Sequence, residues 1–198
     1  MIKEYFNDYF LHSSDVEFNL SDGSVKFLNG KAEDWKVTLV DTGLNTMTGG
    51  RIKRVKDYID GDTFMLTYGD GVCNVDLKKE LDFHKKHGKL LTLTTVSIAQ
   101  QKGVMEFDKD GLVTAFREKA LMDRAIINGG YMVVDKKIMD YIDGDDISLE
   151  KEPFERLVKE GQMMSFMHEG FWQCMDTQRE MKYLCELWEN DKAPWKIW

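Results

Sequence analysis

The stretch FMLTYGDGV, residues 64–72, runs from apolar side chains directly into a carboxylate held between two glycines. Phe64, Met65 and Leu66 are typical of a buried strand, and Asp70 follows where that strand ends. In open α/β sheets, ligands lie beyond the carboxyl ends of the strands, where a carboxylate can bind Mg²⁺ and glycines let a nucleotide approach the backbone. The alternative is a tight turn that only reverses the chain, which is the commoner role of Gly-Asp-Gly taken alone.

The pattern around this stretch indicates an α/β fold in a single domain over residues 1–198. Between Trp35 and Ile142, short apolar runs alternate with helical spacing, which favours a largely parallel sheet. Residues 105–116 add a hairpin around an Asp-Gly turn. The spacing predicts strands at 35–43, 63–71, 89–98 and 125–134, and helices at 48–60, 75–88, 149–161 and 178–190.

Charge and cysteine content restrict the partners and the compartment. The chain carries 27 Lys and Arg against 35 Asp and Glu, a formal net charge of −8, which disfavours nucleic acid and anionic membrane surfaces as partners. No apolar run reaches the ~18 residues that a membrane span needs. Cys73, Cys174 and Cys185 show no C-x-x-C spacing, which is typical of free thiols in a reducing compartment. We therefore expect a cytoplasmic protein.

A second carboxylate strengthens the magnesium interpretation of Asp70. Asp176, in GFWQCMDT at residues 170–177, also lies where an apolar run gives way to a helix. Mg²⁺ bound to a nucleoside triphosphate commonly takes one or two protein carboxylates together with phosphate oxygens. The alternative for Asp176 is a capping role at the start of that helix. Sequence spacing leaves open whether the two aspartates meet.

Two further motifs have the chemistry to bind a sugar phosphate. In FREKA, residues 116–120, Glu118 can accept from sugar hydroxyls and Lys119 can hold a phosphate, although a charged strand end is often only solvated surface. In INGGY, residues 127–131, Asn128 and the glycine pair suit a polar ligand lying on the backbone. A bulge in the strand is the alternative for this second motif.

The segment NTMTGGRIKR, residues 45–54, places glycines before a predicted helix, and helix N-termini attract anions. Arg51 is a candidate ligand contact in this segment. The segment is not a Walker loop, because G-K-[ST] is missing.

Taken together, these motifs resemble the bacterial glucose-1-phosphate cytidylyltransferases, a family of sugar-phosphate nucleotidylyltransferases. The resemblance runs from about residue 2 to Trp198 in the family's order and includes VTLVDTGLNTMTGGRIKRV, YGDGV, FREK, INGGY, GFWQCMDT and LWENDKAPWKIW. It implies a Rossmann-like nucleotidyltransferase fold with a mixed, mostly parallel sheet. It also implies a reaction of CTP with α-D-glucose 1-phosphate in the presence of Mg²⁺, toward deoxysugars of lipopolysaccharide O-antigen.

The resemblance also implies roles for individual residues. Asp70 and Asp176 would bind the metal, and with Lys119, which would hold the hexose phosphate, they form the implied catalytic set. The other implied substrate contacts are Glu118, Asn128, Gly129 and Gly130 on the hexose side, and Thr48, Gly49, Gly50 and Arg51 on the nucleotide side.

The family pattern and this sequence differ at the N-terminus. Family members begin with a strand and a G-x-G-T-R-L loop, and neither occurs here, so the implied fold is N-terminally truncated. AQQKG at residues 99–103 and Ala120 also replace family residues. The main hypothesis is an enzyme of this family. The alternative is a non-catalytic remnant that binds sugar phosphate or assembles with partners, and a glycosyltransferase is a third, weaker option. Unpaired strand edges in such a chain favour a homo-oligomer.

Overall fold

The computed structural model describes residues 1–30, 32–99, 104–117 and 124–197. The chain divides into two compact units, residues 1–41 and residues 42–198. The single domain predicted for the whole chain stays a prediction. No helix in the described part of the chain is both long and apolar enough to cross a bilayer.

The first unit consists of two short helices followed by a hairpin. Its elements are α1 (Ile2–Asn7), α2 (Tyr9–Ser13), β1 (Asp15–Phe18) and β2 (Val25–Leu28), with β1 and β2 antiparallel. Aromatic rings of the helices contact one another, edge-on for Tyr5 with Phe6 and stacked for Phe6 with Tyr9. None of the described residues of this unit is fully buried.

The second unit contains the main sheet and the larger helices. In chain order its elements are α3 (Thr48–Arg54), β3 (Thr63–Thr67), β4 (Gly71–Cys73), α4 (Leu77–His87), β5 (Leu91–Ala99), β6 (Val104–Phe107), β7 (Val113–Arg117), β8 (Arg124–Asp135), α5 (Glu152–Lys159), β9 (Met163–His168), β10 (Trp172–Cys174) and α6 (Gln178–Glu189). Two 3₁₀ turns, Lys56–Tyr58 and Lys136–Tyr141, follow α3 and β8.

Four strands form the main sheet in the order β3–β8–β5–β9. The strand β8 is antiparallel to both β3 and β5, whereas β9 is parallel to β5. Three of the four strands therefore run in one direction and β8 runs against them. The prediction of an α/β fold with a mixed sheet is confirmed. The expectation that this sheet is mostly parallel needs correction, because β8 lies between β3 and β5 and leaves β5–β9 as the one parallel pair among the described strands of the main sheet.

The hydrophobic core lies where the sheet meets the segments that follow β8. Leu91 of β5 and Val134 of β8 are fully buried, as are Ile142, Leu149 and Leu157. Burying a side chain of this size stabilises a fold by about 1.5–3 kcal/mol. The cluster therefore fixes the strands and the loop at residues 142–149.

Capping interactions explain where two of the predicted helices begin and end. The Asp76 carboxylate accepts from the Lys79 N–H at 3.0 Å, and Gly88 ends α4 in the left-handed region at φ 64°. Thr177 and Glu180 form a reciprocal capping box at the start of α6. These contacts confirm the helices predicted at 75–88 and 178–190.

Other local predictions need correction. The helix predicted at 48–60 ends at Arg54 because the Val55 N–H also bonds to Ile52, three residues back, which tightens the chain into a 3₁₀ turn. Residues 35–43 form no strand, because none of the described strands pairs with them. The strand β9 was not predicted, since its sequence MMSFMH contains no β-branched residue. The predicted hairpin is confirmed as β6 and β7.

Candidate functional site

A two-stranded ribbon brings the two candidate metal-binding aspartates to one place. The strands β4 and β10 pair antiparallel, with Cys174 opposite Gly71. Beyond the last pair, the Met175 N–H donates to the Asp70 carbonyl oxygen at 2.8 Å. Asp70 and Asp176 therefore leave the ribbon at the same end, although 105 residues separate them in the sequence (from 71 to 175).

The ribbon end opens on a cavity of about 230 Å³. Three segments form its walls: the chain after β3, the middle of β8, and β10 with the residues that follow it. The lining residues are Thr67, Tyr68, Asp70, Gly71, Ile127, Asn128, Gly129, Gly130, Tyr131, Trp172, Cys174 and Asp176. Five of the residues singled out from the sequence thus share one cavity: Asp70, Asp176, Asn128, Gly129 and Gly130.

The two carboxylates in this cavity are exposed and available to a cation. The Asp70 carboxylate accepts no hydrogen bond from the described residues, and Asp176 Oδ2 accepts one from the Cys174 thiol at 3.3 Å. Glu180 lies close by, because Cys174, Asp176 and Glu180 each offer a ligand atom within 4.8 Å of the others. Two carboxylates at a cavity wall match the oxygen ligands that Mg²⁺ requires.

Cys174 is a thiol donor in the cavity wall. Burial raises its pKa, and the hydrogen bond to Asp176 raises it further. The thiol is therefore protonated at neutral pH, donating to Asp176 rather than acting as a nucleophile. The sequence favoured a packing role for this residue, and its contact with the carboxylate was not predicted.

The glycine pair in β8 both bends the strand and lines the cavity. Gly130 has φ 80°, and a Cβ at this position would lie 2.9 Å from Cδ2 of the Tyr68 ring. The Gly129 carbonyl accepts from Trp172 Nε1 at 2.7 Å. Asn128 Oδ1 accepts from the Gly130 N–H at 2.7 Å, so the amide side chain holds the bend from inside the strand.

Two tyrosines in the cavity wall have hydroxyls fixed by hydrogen bonds. Tyr131 donates to the Gly71 carbonyl at 2.9 Å, and burial raises the pKa of Tyr131 to about 12. Tyr68 donates to Glu150 Oε1 at 2.7 Å, and burial followed by the Glu150 interaction raises its pKa above the usual value. Both hydroxyls are therefore protonated donors at neutral pH.

The TGGR segment lies outside the cavity wall. Thr48, Gly49, Gly50 and Arg51 are not among the residues that line the cavity. The N–H groups of Gly49 and Gly50 both donate to the Ile147 carbonyl, and a Cβ on Gly50 would lie 2.6 Å from the backbone of Asp145. Close packing against the loop at 145–149 therefore accounts for the glycines.

Arg51 is likewise held by neighbouring groups. Its guanidinium donates to Thr42 Oγ1 at 2.6 Å and to the Leu44 carbonyl at 3.2 Å. The nucleotide contact predicted for this segment stays a prediction. Glu118 and Lys119 lie outside the described residues, so their predicted roles also stay predictions.

Several cavity residues were missed by sequence reasoning. Three of these residues occur inside the quoted motifs: Tyr68, Tyr131 and Trp172. Their hydroxyl and indole N–H groups donate hydrogen bonds to partners far away in the chain, which sequence spacing does not show. Glu150 falls inside the helix predicted at 149–161, whereas α5 begins at Glu152, and the sequence does not predict its contact with Tyr68. An aromatic residue with a polar tip next to a glycine motif is the signal that would have identified the first three.

Comparison with known proteins agrees with this geometry. The sequence profile of the nucleotidyl transferase family matches residues 25–179. The glucose-1-phosphate cytidylyltransferase of Salmonella typhimurium is 48% identical over the whole of this chain and 77% of its own length. The probable glucose-1-phosphate cytidylyltransferase of Bacillus subtilis is 38% identical over the same shares.

Solved structures share the fold at lower identity. The crystal structure of HddC from Yersinia pseudotuberculosis superposes with a TM-score of 0.56 at 24% identity, covering 73% of this chain and 64% of that one. A putative glucose-1-phosphate thymidylyltransferase from Bacillus anthracis superposes with a TM-score of 0.54 at 13% identity, covering 77% and 63%.

Proposed function

This chain belongs to the glucose-1-phosphate cytidylyltransferase family of nucleotidyl transferases, and we propose that it joins CTP and α-D-glucose 1-phosphate into CDP-glucose and pyrophosphate. The observation that carries the proposal is the meeting of Asp70 and Asp176 in one cavity. The names of the relatives supply the substrate class, and the chain spans 77% of their length.

The reaction demands little covalent chemistry from the protein. A phosphate oxygen of glucose 1-phosphate attacks the α-phosphorus of CTP, a new P–O bond forms, and the bond to the pyrophosphate oxygen breaks. The attacking oxygen is already ionised at neutral pH, so neither a covalent intermediate nor a strong general base is required. Positioning in line and neutralisation of charge carry the rate.

The proposed cation is Mg²⁺, held by Asp70 and Asp176. When bound, it would neutralise phosphate charge that two carboxylates would otherwise repel. Cys174 supports the arrangement by donating to Asp176 Oδ2 at 3.3 Å, which orients that carboxylate.

The hexose would lie on the β8 wall of the cavity. Asn128, Gly129 and Gly130 present backbone and amide groups there, and the Trp172 indole forms the adjoining wall. Because Trp172 donates to the Gly129 carbonyl, a hydrogen bond joins the two walls. We include Glu118 and Lys119 in the proposed hexose phosphate site, and Thr48, Gly49, Gly50 and Arg51 on the nucleotide side.

We also propose that the chain forms a homo-oligomer in the cytoplasm. Large apolar side chains are exposed, among them Phe10 at 51% and Trp35 at 73%. Cys73, Cys174 and Cys185 carry free thiols, which a reducing compartment maintains. Light scattering should give a mass that is a multiple of 23.0 kDa, and a monomer at micromolar concentration would contradict this assembly.

Pyrophosphate release tests the proposed activity. The chain should release pyrophosphate from CTP only when glucose 1-phosphate and Mg²⁺ are both present, and CDP-glucose should appear in equal amount. If no pyrophosphate forms but glucose 1-phosphate still raises the unfolding temperature, the result selects a non-catalytic sugar-phosphate-binding protein instead.

A further inference from the structure

The cavity wall is connected to α3 through one side chain. The Glu150 carboxylate accepts from two hydroxyls at once: Tyr68 OH donates to Oε1 at 2.7 Å and Thr48 Oγ1 donates to Oε2 at 2.7 Å. Thr48 Oγ1 also accepts from the Leu149 N–H at 2.9 Å. Tyr68 lines the cavity, and Thr48 is the first residue of α3.

Tyr68 in turn contacts the bend in β8. Its N–H donates to the Gly130 carbonyl at 3.1 Å, and its ring lies against the α-carbon of Gly130, where a Cβ would approach within 2.9 Å. Its hydroxyl accepts a long hydrogen bond from Asn128 Nδ2 at 3.4 Å. The orientation of the Tyr68 ring therefore sets the surface that Asn128 and Gly130 offer to a ligand.

We propose that Glu150 is a positioning residue for the hexose side of the cavity, acting through Tyr68 and anchored by Thr48. This inference rests on the proposed function for its effect on catalysis, but not for its effect on the cavity wall. Glu150 is not among the cavity-lining residues, so it acts through Tyr68 and not by touching substrate.

The chemistry of the carboxylate explains why glutamate occupies this position. Both partners are hydroxyl donors, and an ionised carboxylate accepts from two donors without offering a proton of its own. A glutamine has a single acceptor oxygen, so its NH₂ group would face one of the two hydroxyls. Thr48 has limited freedom to adapt, because its oxygen already accepts from Leu149.

Kinetic constants of Glu150→Gln and Tyr68→Phe give the first test. Each variant should raise KM for glucose 1-phosphate about tenfold and leave KM for CTP within about twofold. The double variant Tyr68→Phe with Glu150→Gln should lose no more than the worse single variant, because the two residues act as one unit. Additive losses, or a rise in KM for CTP without a rise in KM for glucose 1-phosphate, would overturn the inference.

The matched control is an equivalent tyrosine–glutamate pair elsewhere. Tyr141 OH donates to Glu160, and neither residue lines the cavity. Tyr141→Phe and Glu160→Gln should leave both KM values unchanged. A similar rise in KM for glucose 1-phosphate in these controls would assign the effect to general loss of stability and overturn the inference.

Amide hydrogen exchange separates this inference from the proposed function. The Gly130 N–H, which donates to Asn128, should exchange several-fold faster in Glu150→Gln and Tyr68→Phe than in the unmodified chain. Unchanged exchange at Gly130 would overturn the inference, whether or not the chain makes CDP-glucose. Faster exchange in a chain without transfer activity would support the inference and refute the proposed function alone.

Discussion

The backbone N–H of Met175 donates to the carbonyl oxygen of Asp70 at 2.8 Å. This bond extends the β4–β10 ribbon by one step and brings Asp70 and Asp176 to the wall of the same cavity. A backbone hydrogen bond holds the spacing of the two chains whatever the side chains are. Substituting either carboxylate should therefore alter the chemistry of the cavity without altering the ribbon.

Replacing either aspartate with asparagine should nearly abolish transfer. Asp70→Asn and Asp176→Asn should each lower kcat about 10²–10³-fold, the typical cost of losing one preorganised charge-stabilising group. Stability should change by less than about 0.5 kcal/mol, since both side chains are exposed. Pyrophosphate release and urea unfolding measure the two effects. Asp82→Asn, an exposed aspartate of α4, is the control, and equal loss of activity there would contradict the assignment.

Alanine at position 130 should destabilise the protein. Gly130 has φ 80°, and the added Cβ would press on the Tyr68 ring, so Gly130→Ala should lower the free energy of unfolding by about 1–3 kcal/mol. Gly61 provides the matched control, because it also has a positive φ, at 75°, and a Cβ there meets nothing within 4 Å. Urea titration of both variants gives the comparison, and equal destabilisation would show that the Tyr68 contact is unimportant.

Loss of the Trp172 indole N–H should weaken hexose binding. Trp172→Phe leaves the Gly129 carbonyl without its donor, and an unsatisfied group of this kind costs about 1–3 kcal/mol. KM for glucose 1-phosphate should rise about tenfold. Trp188→Phe removes a half-exposed indole of α6 and should leave KM unchanged. Steady-state kinetics at saturating CTP would detect the difference, and identical constants for the two variants would refute it.

Glu80 should make stability depend on pH. This side chain of α4 is fully buried; Oε1 accepts from Thr94 at 2.6 Å, and Oε2 has no hydrogen-bond partner among the described residues. Burial raises the pKa of Glu80 above the 4.5 of an exposed glutamate, although the Thr94 hydrogen bond and the charge of His168 act in the opposite direction. The folded chain therefore keeps this proton to higher pH than the unfolded chain does.

The sign of the effect follows from that difference in proton binding. The free energy of unfolding should fall as pH rises from 4.5 through the raised pKa of Glu80, and Glu80→Gln should lack this decline. His84 and His87, whose pKa values burial lowers, are present in both proteins and cancel from the comparison. Urea unfolding between pH 4 and pH 8 measures this decline in the free energy of unfolding. Exposed Glu155→Gln is the control, and parallel curves for Glu80→Gln and the unmodified chain would contradict the assignment.

Local sequence signals predicted much of the second unit. Asp76 and Gly88 delimit α4 by capping chemistry that depends on neighbours within the same segment. The β-branched run at residues 91–98 predicts β5 for the same reason. Such signals failed at β9, whose methionine-rich sequence forms a strand by pairing parallel with β5.

The geometry of the site depends on contacts between segments far apart in the chain, and sequence spacing does not show such contacts. The strands β4 and β10 are three residues each, too short for any periodicity to reveal. Asp70 and Asp176 could be chosen for their chemistry and family resemblance, but their meeting required the ribbon. The TGGR glycines were predicted to approach a ligand, and the structure packs them against the backbone at 145–147. A glycine that allows close approach does not reveal from its sequence what approaches it.

The central claim is that Asp70 and Asp176 share one divalent cation, and anomalous diffraction tests it most directly. Crystals grown with CTP and Mn²⁺ in place of Mg²⁺ should show one anomalous peak with a carboxylate oxygen of each aspartate at roughly 2.2 Å. A peak bound by Cys174 and Glu180 without Asp70, or no peak in the cavity, would contradict the account.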